Sequence, residues 1–309
     1  MGYYDYQDYN DHRFIPISGL SRYPREVFMA VQWFPGHMAK TIREIKLKVE
    51  KADVVLEILD ARIPYSSQNP MIEKITEHKP VVIVLNKADL ADKTILDKWA
   101  DFLKANNEKR EVLSVSATKG KNITGIIEKC RLLCKDSAWF GKRAIRVMII
   151  GVPNVGKSAI LNKLAGKRKQ DVRNIPGVTK ELRKVNVSDK LQVTDTPGVL
   201  WHKFEDPLVG EKLAILGSVK DSIIYRDDIA LKAIELLKEL YPTRLGERYG
   251  IGLTEVEEKS ASELFEIIGR KRGCIVSGGK VDNDKTARIV LTDIREGRLG
   301  GICLESPGN

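Results

Sequence analysis

The sequence has few cysteines and no long apolar run. Its 309 residues include only 4 cysteines, too scattered for a disulfide framework, so we expect a reducing compartment: the cytoplasm or, in a eukaryote, the mitochondrial matrix. Cys130 and Cys134 lie four apart on a predicted helix, and no nearby His or Cys pair completes a zinc site. Apolar stretches such as 147–152 are far shorter than the roughly 18 residues of a membrane span, so no membrane partner is expected.

Acidic residues are outnumbered by basic ones. The 52 Lys and Arg residues face 42 Asp and Glu, a formal net charge of +10, which favours a polyanionic partner such as nucleic acid. No RNA-recognition motif of the aromatic-sheet type is visible, so RNA contacts would be mostly to phosphates and shape. Two stretches, 163–184 and 270–298, concentrate the basic excess: Lys163, Lys167, Arg168, Lys169, Arg173, Lys180, Arg183 and Lys184, and Arg270, Lys271, Arg272, Lys280, Lys285, Arg288, Arg295 and Arg298. A basic helix is often only a solvated face, and that alternative stays open here.

Composition divides the chain into three parts. Residues 1–28 hold five of the nine tyrosines among Asp, Asn, Ser and Pro, which predicts an extension of low order, either a tail or a surface that stacks on RNA bases. Over 29–204, short apolar runs at 54–59, 81–85, 112–115 and 147–150 alternate with helical segments, the first near 38–51. This pattern predicts a doubly wound α/β domain with a mostly parallel sheet. Residues 205–309 have helical periodicity, as at 228–241 and 262–272, and predict a smaller all-α domain.

Residues 151–158 match the phosphate-loop pattern G-x-x-x-x-G-K-[ST]. The match follows a predicted buried strand and opens a helix, which is the context that the motif requires. Backbone N–H groups of such a loop surround the β-phosphate, the lysine reaches the β- and γ-phosphates, and the serine hydroxyl binds Mg²⁺. The predicted phosphate ligands are Asn154, Val155, Gly156, Lys157, Ser158 and Ala159.

Two further loops carry residues suited to the metal and the γ-phosphate. Asp195 begins Asp-Thr-Pro-Gly after the apolar stretch 191–194, so its carboxylate can hold Mg²⁺ while the Gly198 N–H meets the γ-phosphate. Thr179, in the loop 176–179 between the two motifs, can close over the metal. Ser158, Thr179 and Asp195 are therefore the predicted Mg²⁺ group, although loop threonines are common and Thr179 alone would be weak evidence.

The tetrapeptide Asn-Lys-Ala-Asp at 86–89 predicts specificity for guanine. Its aspartate, Asp89, can accept hydrogen bonds from the ring N–H and exocyclic amine of guanine, donors that adenine lacks in this arrangement. Ser-Ala at 116–117 ends the next strand, where the Ala117 N–H can meet the guanine carbonyl oxygen. The predicted base ligands are Asn86, Lys87, Asp89, Ser116 and Ala117.

The order of these motifs is unusual. A Ras-like chain has the phosphate loop first and the guanine motifs last, whereas here 86–89 and 116–117 precede 151–158, which predicts a circular permutation. Because the carboxyl ends of parallel strands share one edge of a sheet, permutation leaves the site intact. It also connects the segment after Gly198 directly to the C-terminal helices, so nucleotide state can bias their position.

The chain resembles the ribosome-biogenesis GTPase A family (RbgA/YlqF) of circularly permuted GTPases. The resemblance runs from about residue 31 to near the C-terminus and includes the motif order, 33–40, 60–64, 198–201 and 271–274. It implies a GTPase acting late in assembly of the large (50S) ribosomal subunit, with ribosomal RNA and ribosomal proteins as partners and a C-terminal domain like an RNA-binding module. We expect a monomer away from the ribosome.

The usual group that assists hydrolysis is absent from the motifs, because Val199 stands where Ras-like enzymes have a water-positioning glutamine. His37 and His202 are the candidates, and the resemblance favours His37, with Lys157 and Thr179 as the other catalytic residues. In related GTPases with this phosphate loop, the asparagine that matches Asn154 helps bind K⁺. An asparagine suited to a left-handed turn is the alternative.

Three functions therefore remain in competition. A GTPase switch is the leading one. The absent glutamine keeps open a binding factor that carries guanine nucleotide and hydrolyses very little of it. A GTPase of tRNA modification or protein targeting would need further motifs that the sequence lacks.

Overall fold

A six-stranded sheet forms the centre of the structure, a computed structural model that describes residues 35–105, 110–166, 183–201 and 204–308. Its strands are β1 (Val54–Asp60), β2 (Val81–Asn86), β3 (Arg110–Val115), β4 (Ile145–Ile150), β5 (Arg183–Ser188) and β6 (Leu191–Asp195). Their order across the sheet is β3-β2-β1-β4-β6-β5. All neighbours pair in parallel except β5, which is antiparallel to β6. The predicted mostly parallel α/β class is confirmed.

The buried strands follow the apolar runs of the sequence. Each predicted run lies inside an observed strand, which extends one or two residues beyond it. The edge strand β5 was not predicted, because only Val185 and Val187 alternate with polar residues and β5 has one sheet neighbour. An apolar run marks a strand that is covered on both faces, and an edge strand need not have one.

Helices cover both faces of the sheet. Those of the first half are α1 (Pro35–Val49), α2 (Pro64–Ser67), α3 (Pro70–Thr76), α4 (Lys93–Ala105), α5 (Ile123–Cys134) and α6 (Lys157–Leu164). Side chains of β1 alternate between two cores: Leu56 packs with α5 and α6, whereas Leu59 packs with α1, α3 and α4. Cys130 and Cys134 are buried on α5, so their interpretation as helix residues is confirmed.

The chain after residue 205 is helical, as the periodicity predicts. Its helices are α7 (Pro207–Ile215), α8 (Arg226–Leu240), α9 (Pro242–Tyr249), α10 (Leu253–Glu258), α11 (Ala261–Lys271) and α12 (Asn283–Arg295). Their buried side chains, such as Leu213 and Ile234, form one apolar cluster with Leu56 and Ile149 of the sheet. The division at 204/205 therefore stays a prediction, since the apolar core crosses it. In the part of the chain described here, no helix is both long and apolar enough to span a membrane.

A carboxyl group is buried in the middle of the sheet. Glu57 of β1 is 3% exposed, and its side chain faces the core that contains Leu59. Burial and, to a smaller extent, the nearby carboxylate of Glu73 raise the pKa of Glu57 to about 7, against the opposing effects of Arg110 and a hydrogen bond with Gln68. The folded protein therefore binds a proton that the unfolded chain releases near pH 4.5.

We predict that Glu57→Gln stabilises the protein at neutral pH and above. Because the pKa is higher in the folded state, the wild-type free energy of unfolding falls between about pH 4.5 and about pH 7 as Glu57 loses its proton. At about 1.4 kcal/mol per pKa unit, the gain is on the order of 3 kcal/mol above about pH 7. Urea unfolding of both proteins across this range measures it, and parallel pH profiles would contradict a neutral Glu57 in the fold.

Candidate nucleotide-binding site

The predicted site residues follow the carboxyl ends of adjacent strands. Asn86 ends β2, Gly151 follows β4, and Asp195 ends β6, while residues 116–117 follow β3. These strands are parallel, so all four loops lie at one edge of the sheet. The structure therefore brings together motifs that are spread over more than a hundred residues of sequence.

The phosphate loop connects β4 to α6 through a tight turn. Asn154 (φ 61°) and Gly156 (φ 99°) have left-handed backbone conformations, and the Ile160 N–H bonds to the Gly156 carbonyl as the helix begins. N–H groups in the first turn of a helix have no partner within it and carry its positive dipole end. Residues 154–159 therefore present the type of backbone that binds phosphate.

Lys157 is buried within this loop. Lys157 is the first residue of α6, and its Nζ donates to the carbonyls of Gly151 at 3.0 Å and Val152 at 2.9 Å. Burial lowers the pKa of Lys157 to about 8, although the carboxylate of Asp195 opposes this. The ammonium thus lies on the inside of the loop, where an anionic phosphate would offer it stronger partners than two carbonyl oxygens.

Two predicted metal ligands face each other across the loop. The Ser158 Oγ lies 3.4 Å from Oδ2 of Asp195, which is 2% exposed. A hydroxyl and a carboxylate are hard oxygen donors, so this pair fits Mg²⁺, which usually takes its remaining ligands from phosphate and water. Gly198 packs against the same loop: a Cβ built on it would lie 2.7 Å from the Pro153 Cα, so only glycine brings the 195–198 backbone this close.

The buried side chain of Asn86 connects three of the loops. Its Nδ2 donates to the Val155 carbonyl at 2.7 Å, and its Oδ1 accepts from the Ala117 N–H at 3.1 Å. The sequence predicts that this Ala117 N–H meets the guanine oxygen, whereas here it is bonded to Asn86. The Ala117 N–H would bond to guanine only through a bifurcated hydrogen bond, shared with Asn86, or after a small movement of residues 116–117. Asn86 acts first as a connector of the site.

Lys87 and Asp89 project from the same loop in different directions. Lys87 has a left-handed backbone (φ 62°), and its Nζ bonds to Oδ2 of Asp60 at 2.8 Å. Asp89 lies in the short 3₁₀ helix Ala88–Leu90 with an exposed side chain, as a carboxylate that receives the base requires. Ser116 is buried, and its Oγ accepts from the Lys119 N–H at 3.1 Å.

His37 lies in the first turn of α1, the helix that precedes β1. Its role in hydrolysis stays a prediction. Val199 is buried in the core that α1 covers, and its carbonyl accepts from Nδ2 of Asn69 at 3.0 Å. Thr179 and His202 lie outside the described residues.

Asn154 has the conformation expected of a turn asparagine and also has a specific partner. Its Nδ2 donates to the Gly217 carbonyl, beyond the end of α7, at 2.7 Å. A K⁺ ligand would therefore have to be its Oδ1. Neither of the two interpretations of Asn154 is excluded by this contact.

One residue predicted for the basic surface is half-buried and bonds within the protein instead. Arg295 donates to the carbonyls of Ala214 and Ile215, both at 2.9 Å, and forms a bidentate pair with Asp221. The carbonyls at the C-terminal end of α7 need donors, and the guanidinium supplies them. The other seven basic residues of 270–298 are exposed, and most of the stretch 163–184 lies outside the described residues.

Sequence reasoning also missed Arg62, a buried side chain beside the base loop. It was noted only as part of the motif 60–64, and its signal was its charge within an otherwise apolar segment. It is 1% exposed and bonds to Asp60, the partner of Lys87.

Comparison with known proteins agrees with this geometry. The family model described as "50S ribosome-binding GTPase" matches residues 146–246. "Ribosome biogenesis GTPase A" of Bacillus cereus is 44% identical over 90% of this chain and 95% of its own length. "Mitochondrial ribosome-associated GTPase 1" of Xenopus tropicalis is 35% identical, covering 88% of this chain and 94% of that protein.

The fold has a solved counterpart. The crystal structure of GNP-bound YlqF from Thermotoga maritima superposes with a TM-score of 0.64 at 29% identity, over 87% of this chain and 98% of that one. Similarity on this scale, over nearly the whole chain, extends beyond a shared nucleotide-binding domain. The chain is therefore a GTPase that belongs to the ribosome biogenesis GTPase A family.

Proposed function

We propose that this GTPase of ribosome biogenesis is a switch in late assembly of the large (50S) ribosomal subunit. The observation that carries the proposal is the connection between the phosphate site and the C-terminal helices. The segment after Gly198 leads within nine residues to α7, and Asn154 of the phosphate loop bonds to Gly217 just beyond that helix. Movements of the loop on exchange of GTP for GDP would therefore reach the helices directly.

Ribosomal RNA is the partner that the charge favours. Arg270 and Arg288 are exposed, and each pairs with an exposed carboxylate on its own helix. Exposed pairs of this kind contribute little to stability, so RNA phosphates can replace the carboxylates at small cost. Other basic side chains of this stretch are also exposed, namely Lys271, Arg272, Lys280, Lys285 and Arg298, the last of which also pairs with the buried carboxylate of Asp293. Assembly partners on the large subunit precursor would include ribosomal proteins.

The roles of the site residues are part of this proposal. Backbone N–H groups of 154–159 and the Lys157 ammonium would hold the phosphates, and the Gly198 N–H would meet the γ-phosphate. Ser158 and Asp195 would bind Mg²⁺, with Thr179 closing the site, and Mg²⁺ would neutralise charge on the phosphates. Asp89 would select guanine. The bacterial and mitochondrial relatives support action in the cytoplasm or the mitochondrial matrix.

A guanine-nucleotide-dependent binding factor with negligible hydrolysis is the second candidate. It is favoured by the burial of Val199, which is 4% exposed and occupies the position of the usual glutamine. An apolar side chain at position 199 cannot orient water, so hydrolysis would depend on His37, on His202 or on the ribosomal particle.

The switch can be tested by co-sedimentation with large ribosomal subunits. We expect the form bound to a GTP analogue to bind at least tenfold more tightly than the GDP and nucleotide-free forms, with binding that weakens as salt rises. GTP turnover should rise when subunits are added. Binding that is indifferent to nucleotide would contradict the switch, and unchanged turnover with nucleotide-dependent binding would favour the second candidate.

We expect His37→Ala to lower subunit-stimulated turnover by about a hundredfold, the scale of a lost acid–base or water-positioning group. Affinity for GDP and GTP should not change, because no role in binding is proposed for His37. His78→Ala is the matched control, since His78 is an exposed partner of Glu50. His202→Ala tests the rival: a larger loss there than at position 37 would transfer the role.

We predict that turnover is faster in K⁺ than in Na⁺, and that Asn154→Gly removes the difference. Glycine retains the left-handed backbone of position 154 and removes only the amide, so strain is avoided. Asn122→Gly is the control, because Asn122 is also left-handed (φ 59°) but lies at the start of α5. Equal wild-type rates in both salts would contradict a role in K⁺ binding. The role of Asn154 would then be limited to the left-handed turn and the hydrogen bond to Gly217.

A further inference from the structure

Arg62 has the largest side chain among the fully buried residues of the described part of the chain. A buried charge is tolerated only with close partners, and Arg62 has two sets of them. On one side its Nε and one terminal nitrogen form a bidentate pair with the carboxylate of Asp60, each bond 2.9 Å long. On the other side its second terminal nitrogen donates to the Ile294 carbonyl at 3.0 Å.

The second set of partners lies at the C-terminal end of α12. The carbonyls of the last helical turn have no partners within the helix and carry its negative dipole end. Arg62, more than two hundred residues earlier in the sequence, donates to two of them, Ile294 and, at 3.4 Å, Arg295. The guanidinium therefore connects the end of β1 to the last helix of the chain.

Asp60 extends this connection to the base loop. Its carboxylate accepts from Lys87 Nζ at 2.8 Å as well as from Arg62. Burial alone would raise the pKa of Asp60, but the charges of Arg62 and Lys87 outweigh it and hold that pKa below its usual range. Lys87 is two residues before Asp89, the residue proposed to receive guanine.

The chain beyond α12 contacts the same loop from the other side. The Ile302 N–H bonds to the Leu90 carbonyl at 3.0 Å, and the Leu304 N–H bonds to the Arg62 carbonyl at 2.8 Å. The approach is so close that a Cβ built on Gly301 would lie 2.5 Å from the Ala91 carbonyl oxygen. Loop 87–91 is thus held at its start by Asp60, which Arg62 connects to α12, and near its end by the backbone that follows α12.

We propose that Arg62 is a positioning residue for guanine binding, which holds the loop that carries Asp89 in register with α12 and the segment after it. The inference rests on the placement of guanine proposed above and adds a second route between nucleotide and helices. This route acts through the base, which GTP and GDP share. A partner that displaces the end of α12 would lower the affinity for GTP and for GDP by the same factor. In turn, binding of either nucleotide would strengthen the packing of that segment.

The test measures dissociation constants for GDP and a non-hydrolysable GTP analogue, together with kcat and KM. Arg62→Met should raise both dissociation constants about tenfold, in equal proportion, and should raise KM with kcat within about twofold. Guanine contacts are the same in ground and transition states, which is why KM rather than kcat responds. Arg62→Lys keeps a charge for Asp60 but cannot bond to both partners, so its effect should be intermediate.

Gly301→Ala provides an independent variant that changes no charge. It displaces the segment after α12 from Ala91, and it should raise both dissociation constants even if Arg62→Met fails to fold. The matched control is Arg143→Met, because Arg143 forms the same bidentate pair with Asp53 just before the other end of β1, with bonds of 2.6 and 2.9 Å. The control should lower the melting temperature without changing either constant.

Two results would overturn the proposal. Unchanged nucleotide affinities in folded Arg62→Lys and Gly301→Ala would leave Arg62 with a purely structural role. Weaker binding of the GTP analogue alone would assign the coupling to the phosphate loop. Measurements on the wild-type protein and on Asp89→Ala show whether the proposed base site is correct, independently of Arg62. If wild-type protein did not prefer GDP to ADP, or kept that preference in Asp89→Ala, the proposed base site would fail rather than the role of Arg62.

Discussion

Parallel pairing of β2, β1, β4 and β6 is the constraint on which the site depends. Parallel strands present every carboxyl end at one edge, so Asn86, Gly151 and Asp195 meet without any of them being close in sequence. The same pairing requires both faces of the sheet to be covered, and the side chains of β1 alternate between two apolar cores for that reason. Function and stability thus share one geometric requirement.

Much of this arrangement could be predicted because its signals are local. Short apolar runs identify strands that are buried on both faces, and the phosphate loop and guanine motif identify loops by residue type and spacing. The direction of each strand then follows from the helices between them. Strand β5 escaped prediction because an edge strand with alternating polar residues lacks such a run.

The remaining features depend on contacts that no local pattern encodes. Arg295 belongs to a basic stretch by sequence, yet in the fold it is half-buried and bonds to carbonyls at the end of α7. The Ala117 N–H is suited to guanine by motif, yet in the fold the buried amide of Asn86 bonds to it. In both cases a backbone group needs a partner, and the nearest suitable one comes from a distant segment. Burial and pairing of polar groups decide these positions.

Two of the contacts between the helical region and the nucleotide half differ in their chemistry. Asn154 links it to the loop that would surround the phosphates, and Arg62 links it to the loop that would hold the base. The first contact is a single neutral hydrogen bond and the second is a buried charge network. A protein built this way can respond to the identity of the nucleotide and to its presence through separate contacts.

The segment after α12 also has a consequence for how the chain folds during translation. Glu305 accepts from Ser66, 239 residues earlier, and Trp99 donates to the backbone of the same residue. These partners are synthesised long before residue 305 leaves the ribosome, so β1 and β2 can pair while the loop after β2 still lacks its last supports. Closing so long a loop adds a late step to folding, at a modest entropic cost. A nascent chain would therefore acquire its sheet first and a fully supported base loop only when its final residues are in place.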